Sequence, residues 1–119
     1  MNRPAAWLQK VRLELERAEA AKMGGNEGMA RVCARRAAGW TVQAYLGSMG
    51  IELKSNNVLD QFRYLLNEEM LAPALKPILE HMLQPLEKKD PLGESVWPLE
   101  ANLVAEAQQL LRSLFPDLQ

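Results

Sequence analysis

Three arginines near the start of one helical segment are the residues best suited to hold a ligand. Arg31, Arg35 and Arg36 lie within NEGMARVCARRAAGWTVQAYLGSMG, residues 26–50. A helix places Arg31 and Arg35 one turn apart on the same side, and Arg36 about a third of a turn further round. Because guanidinium groups form paired hydrogen bonds with phosphate or carboxylate, this cluster predicts an anion site. The alternative is that these arginines lie on an exposed edge of the helix and form ion pairs with Glu27 or with acidic residues of a neighbouring helix. The alternative is favoured because surface ion pairs are common.

Few other residues in the chain could carry out a reaction. There is one histidine and one cysteine, so no His/Cys zinc site is expected within one chain, and no metal or cofactor is predicted. His81 lies among leucine and methionine residues, where a histidine is more often packed than catalytic. The enzymatic alternative is acid–base chemistry shared by Lys76 and His81 across a dimer interface.

The charges are distributed unevenly along the chain. The formal net charge is -1, yet residues 1–36 carry eight Lys/Arg against four Glu, and residues 37–119 carry six against eleven acids. This polarity suits a protein partner or a second copy of the chain, whereas a pI near 5.9 argues against strong nucleic-acid binding. No apolar run follows the N-terminal basic residues, and no stretch reaches about 18 apolar residues. The sequence therefore predicts a cytoplasmic protein without a membrane span.

Glycine and proline divide the chain into five helical segments, and no segment alternates with the period of a strand. The first segment runs from near Pro4 to Gly24-Gly25. The second is capped by Asn26, ends at Gly50 and should be the central helix of the fold. The predicted buried stripes of these two segments are Trp7, Val11, Leu15 and Ala18 in the first, and Met29, Cys33, Ala37, Trp40 and Ala44 in the second.

The remaining segments are shorter and less regular. A third helix begins near Asn57, and a fourth is kinked or terminated by Pro77 or Pro85. The residues KKDPLGESVWP form the clearest loop, and the last helix runs from about Pro98 to Phe115. The sequence thus predicts one domain over residues 1–119, an all-α, up-and-down bundle of about five helices.

The order of these segments follows a known pattern. A first helix with a tryptophan (AWLQKVRLELERAEAAKMGG) precedes a long alanine-rich helix (EGMARVCARRAAGWTVQAYLGSMGIE), a short leucine-rich helix (NNVLDQFRYLL) and a C-terminal helix (LEANLVAEAQQLLRSLF). This pattern resembles the HEPN family of small prokaryotic helical bundles. The resemblance implies a homodimer, and a small nucleotidyltransferase or a nucleotide as a partner.

Some members of that family are RNA-cleaving toxins, which use an arginine followed a few residues later by a histidine. The nearest match here is Lys76 with His81, in KPILEH. Lysine lacks the guanidinium fork, so the resemblance assigns no catalytic residue to this chain.

These observations lead to one main hypothesis. The chain is expected to be a non-catalytic helical interaction domain, working as a homodimer, that binds a nucleotide or an anionic or protein partner near Arg31, Arg35 and Arg36. The alternative is a divergent HEPN-type endoribonuclease toxin using Lys76 and His81. A third hypothesis is an antitoxin-like subunit whose acidic second half engages a basic partner.

Overall fold

The computed structural model describes residues 5–54, 57–84 and 102–118, together with the backbone of residues 88–89 and 95–96. Within these residues the fold consists of five α-helices: α1 (Ala6–Met23), α2 (Glu27–Ser48), α3 (Val58–Leu66), α4 (Lys76–Leu83) and α5 (Leu103–Leu114). Short 3₁₀ turns at Pro73–Leu75 and Pro116–Leu118 precede α4 and follow α5. The predicted all-α helical bundle is confirmed.

The first two helices form the hairpin that the sequence predicts. Gly25 closes α1 with a positive φ of 80°, a conformation that glycine adopts without steric cost. Asn26 caps α2, since its side chain accepts a hydrogen bond from the backbone N–H of Met29 at 3.1 Å. α1 and α2 contact each other more extensively than any other two elements.

α2 is the central helix, because it contacts α1, α3 and α5. Its most deeply buried side chains are small, which allows neighbouring helices to approach closely; they are Ala30, Cys33, Ala34, Ala37, Ala38 and Val42. The predicted core position of Met29 is wrong, since 48% of this residue is exposed. The buried stripe follows Ala30, Ala34 and Ala38, and Met29 lies about 100° to one side of it. Trp40 and Ala44 are only partly buried.

The shorter helices begin at side-chain caps and prolines. Asn57 caps α3 by accepting from the backbone N–H of Leu59 at 2.8 Å, as predicted. Pro77 does not kink α4, because it lies in the first turn, where its missing N–H leaves no hydrogen bond unmade. α4 ends at Leu83, while Pro85 lies outside the described residues.

The last helix begins later than predicted. α5 starts at Leu103 rather than near Pro98, because Asn102 caps it by accepting from the backbone N–H of Ala105 at 3.2 Å. Pro98 itself lies outside the described residues.

The segment predicted as a loop, KKDPLGESVWP, contains a short antiparallel ribbon that the sequence did not indicate. β1 (Lys88–Lys89) pairs with β2 (Ser95–Val96), with Lys88 opposite Val96. Two residues per strand are too few to show a period of two.

Among the described residues, no helix is both long enough and apolar enough to cross a membrane.

Candidate functional site

A cleft of about 340 Å³ lies between α2 and α3. Its described lining comes from one face of α2 and from the first turn of α3: Arg35, Arg36, Gly39, Trp40, Gln43, Val58 and Gln61. The α2 residues recur every three or four positions, which places them on one side of that helix. Two of the three arginines that the sequence singled out therefore share a cleft with a tryptophan.

The close approach of α3 to α2 depends on Gly39. This residue is buried, and a Cβ atom placed on it would lie 2.4 Å from Cγ2 of Val58, the first residue of α3. Real Cβ atoms do not approach other carbon atoms so closely, so only glycine fits here unless the Val58 side chain or α3 shifts. The missing side chain thus fixes the spacing of the two walls of the cleft.

Arg35 is the most strongly constrained cation in the cleft. Its side chain is half-buried, and one terminal guanidinium nitrogen donates a hydrogen bond to the backbone carbonyl of Gln84, just after α4. Its Nε atom is buried and has no hydrogen-bond partner among the described residues. Burial lowers the pKa of the Arg35 guanidinium, because removal from water disfavours the charged form.

No carboxylate of the described residues balances the two arginines of the cleft. Among the described residues, none lies within ion-pair distance of Arg35 or Arg36. A cation that is partly removed from water and lacks a counter-charge costs free energy, which a bound anion would offset. The cleft therefore contains a partly desolvated positive charge for which the described residues supply no counter-charge.

Arg31 lies apart from this arrangement. It is buried, and its Nε atom is 3.4 Å from a carboxylate oxygen of Glu27, one turn earlier in α2. It is not among the described residues that line the cleft. Of the two interpretations of the arginine cluster, the ion pair with Glu27 thus describes Arg31, whereas no described carboxylate pairs with Arg35 or Arg36.

Trp40 has a different role from the core position predicted for it. It is half-buried and forms part of the cleft wall, while the ammonium group of Lys10 in α1 lies 4.4 Å from the centroid of its ring. This distance is typical of a cation–π contact. Lys10 therefore places a positive charge over the Trp40 ring, although it is not among the described residues that line the cleft.

Two glutamine side chains complete the cleft, and sequence reasoning did not identify them. Gln61 is almost fully buried and Gln43 is exposed, and their amides carry both donors and acceptors. Both also line a second, adjacent cleft of about 440 Å³, together with Leu46, Gly47, Ile51, Glu52 and Leu53. An isolated glutamine belongs to no motif, so only the packing of α3 on α2 brings these amides together.

The residues of the enzymatic alternative lie elsewhere. Nδ1 of His81 in α4 is 2.8 Å and 3.0 Å from the two carboxylate oxygens of Glu106 in α5. Lys76 is exposed at the first residue of α4, and five helical positions turn it about 140° away from His81. Within one chain, His81 is thus paired with Glu106, which the sequence did not predict.

The described residues include no group of three His, Cys, Asp or Glu side chains that could hold a metal ion.

Comparisons with known proteins do not extend this description. No family model, curated protein or solved structure matches the chain. The resemblance to the HEPN family stays a prediction from the sequence pattern.

Proposed function

We propose that this chain is a non-catalytic binding domain that holds the anionic group of a ligand between Arg35 and Arg36 in the cleft between α2 and α3. One observation carries the proposal: the guanidinium group of Arg35 is half-buried, its Nε atom is buried without a partner, and no described carboxylate pairs with it. A phosphate or carboxylate group in the cleft would accept from the accessible donors of the Arg35 guanidinium and from Arg36, because planar guanidinium groups suit both anions.

The expected affinity follows from the hydrogen bonds that an anion would form. Hydrogen bonds to a charged group contribute about 1.5–3 kcal/mol each. Because Arg36 is exposed, solvent screening weakens its contribution to the binding free energy. Arg35 therefore supplies most of that free energy.

The surroundings of the arginines favour a ligand with an apolar or flat portion next to its anionic group. The ring of Trp40 offers apolar surface, and the amides of Gln43 and Gln61 offer hydrogen bonds beyond it. The cleft volume of about 340 Å³ lies in the range of small-molecule sites. A nucleotide, which the family resemblance implies, is one candidate; an organic carboxylate shares the same chemistry.

Titration with three probes distinguishes a nucleotide ligand from an organic carboxylate. Inorganic phosphate, adenosine monophosphate and N-acetyl-leucine are each added to the chain, and binding is followed by NMR chemical shifts. We expect at least one of the two organic anions to bind more tightly than inorganic phosphate.

Charge-neutralising variants identify the site. The double substitution Arg35→Gln and Arg36→Gln should weaken binding at least tenfold, because both cations are lost. Arg12→Gln removes an exposed arginine of α1 and serves as the matched control, with binding unchanged. Equal affinity in the double variant and the control would overturn the proposal.

We also propose that the chain associates with a second copy or with another protein, such as the nucleotidyltransferase that the family resemblance implies. Large apolar side chains on its surface support this: Met23 is 90% exposed and Met70 is 93% exposed, while Met29 and Met49 are each 48% exposed. Methionine is common at binding surfaces because its side chain adapts to a partner. Sedimentation showing only monomer at micromolar concentration would contradict self-association.

A further inference from the structure

We infer that the two clefts form one groove for an extended peptide that ends in a free carboxylate group. The inference rests on the proposed function, because that carboxylate is the anion held by Arg35 and Arg36. It goes further by assigning the second cleft, which lies beyond the glutamines, to the rest of the same ligand.

The two clefts are neighbours along α2 and share part of their lining. Gln43 and Gln61 line both of them, and the α2 lining extends from Arg35 to Gly47. At a rise of 1.5 Å per residue, this part of α2 is about 18 Å long. An extended peptide advances about 3.3 Å per residue, so the groove has the length of roughly five residues.

The ends of the groove carry opposite charges. Arg35 and Arg36 lie at one end, and the exposed carboxylate Glu52 lines the other; Lys54, two residues further on, is not among the described lining residues. A peptide with a free C-terminal carboxylate and an N-terminal amine or basic residue matches this order. A nucleic acid does not, because Glu52 would repel the phosphates that reach the second cleft.

The middle of the groove also matches a peptide. Trp40 and Val58 offer apolar surface on one side of the glutamines, and Leu46, Ile51 and Leu53 offer it on the other. Between them, the amides of Gln43 and Gln61 can pair with a peptide backbone, which needs both donors and acceptors. A mononucleotide bound at the arginines would leave the second apolar section empty.

Gly47 provides a variant that blocks the second cleft alone. A Cβ atom at this position would meet no other atom within 4 Å, so the fold has room for a larger side chain. Leucine also has a higher helix propensity than glycine. Gly47→Leu therefore fills the second cleft from an intact α2 and leaves Arg35 and Arg36 in place.

The probe is a pool of pentapeptides with lysine first, leucine last and the three central positions randomised. It is compared with the same pool carrying a C-terminal amide, and with N-acetyl-leucine, which is too short to reach the second cleft. We expect the free-acid pool to bind at least tenfold more tightly than the amidated pool and at least tenfold more tightly than N-acetyl-leucine. Gly47→Leu and Glu52→Lys should each weaken binding of the pool at least fivefold and leave N-acetyl-leucine binding unchanged.

Three results would overturn the inference in distinguishable ways. If the pool binds no more tightly than N-acetyl-leucine, the peptide groove is rejected while the anion site stands. If adenosine monophosphate binds more tightly than the pool and ignores Gly47→Leu, the site belongs to a nucleotide. If no probe binds, both the groove and the proposed function are rejected.

Discussion

A terminal nitrogen of the Arg35 guanidinium donates a hydrogen bond to the backbone carbonyl of Gln84, the residue that follows α4. The cation proposed to hold a ligand therefore also ties the central helix to α4. This double role separates Arg35 from Arg36, which is exposed and has no described ion-pair partner.

Single substitutions of the two arginines should therefore differ in their effect on stability. Arg35→Gln removes the bond to Gln84, and we expect the free energy of unfolding to fall by about 1 kcal/mol, the usual net contribution of such a bond. Arg36→Gln should change it by less than about 0.5 kcal/mol, while both variants weaken phosphate binding. Urea denaturation measures the difference, and equal stability of the two variants would contradict this assignment.

Substitution of Gly39 tests whether its contact with Val58 sets the cleft. Gly39→Ala inserts a Cβ atom 2.4 Å from Val58 Cγ2, and overpacking costs about 1–3 kcal/mol, partly offset by a helix-propensity gain of up to about 1 kcal/mol. We expect a net loss of stability and weaker anion binding.

A double-mutant cycle provides the control for this prediction. Val58→Ala removes the atom that clashes. The double variant Gly39→Ala, Val58→Ala should therefore lose less free energy of unfolding than the two single variants lose in sum. Simple additivity would show that the Gly39–Val58 contact does not fix the spacing of α2 and α3.

Cys33 should make the stability of the fold sensitive to alkaline pH. Burial raises the pKa of its thiol, and the negative charge of Glu14 in α1 and a hydrogen bond with it raise the pKa further, outweighing the opposing charges of Arg36 and Arg17. The folded state therefore keeps the proton at a pH where the unfolded chain has released it, so the free energy of unfolding falls as pH rises above about 8.5.

Cys33→Ala isolates this effect. The variant loses packing equally at every pH, but it has no thiol to titrate. We expect the stability gap between the two proteins to narrow between about pH 7 and about pH 10, as measured by urea denaturation at several pH values. Two parallel stability curves would show that the Cys33 pKa is not raised.

His81→Ala separates the binding proposal from the enzymatic alternative. Because His81 contacts Glu106 and does not line the cleft, the variant should lose roughly 0.5–1 kcal/mol of stability and bind phosphate as the wild type does. Expression of either protein should leave bacterial growth unaffected. Growth arrest by the wild type alone would favour the RNA-cleaving toxin with Lys76 and His81.

The sequence predicts the scaffold better than the site, for physical reasons. Helix ends depend on local capping and glycine conformation, so Asn26, Asn57 and Gly25 are identified correctly. The start of α5 is missed because the helical pattern continues before the cap at Asn102. The exposure of Met29 is missed because a shift of one position turns a residue by about 100°.

The site itself depends on contacts between distant segments. Arg35 and Arg36 are identified from their charge and spacing alone. The buried Gln61 and the pairing of His81 with Glu106 depend on how α3 and α5 pack against the other helices, which no local pattern encodes. The sequence therefore indicates the anion-binding residues and misses the side chains that surround them.

NMR of the Arg35 Nε–H group gives the sharpest test of the anion site, because this N–H belongs to the guanidinium proposed to hold the anion and has no hydrogen-bond partner among the described residues. The chain is labelled with ¹⁵N, and the resonance is assigned from its loss in Arg35→Gln. Addition of N-acetyl-leucine or adenosine monophosphate should shift it and slow its hydrogen exchange, as a charge-assisted hydrogen bond forms. An unchanged Nε–H resonance under conditions in which either ligand binds would place the anion elsewhere and contradict the account.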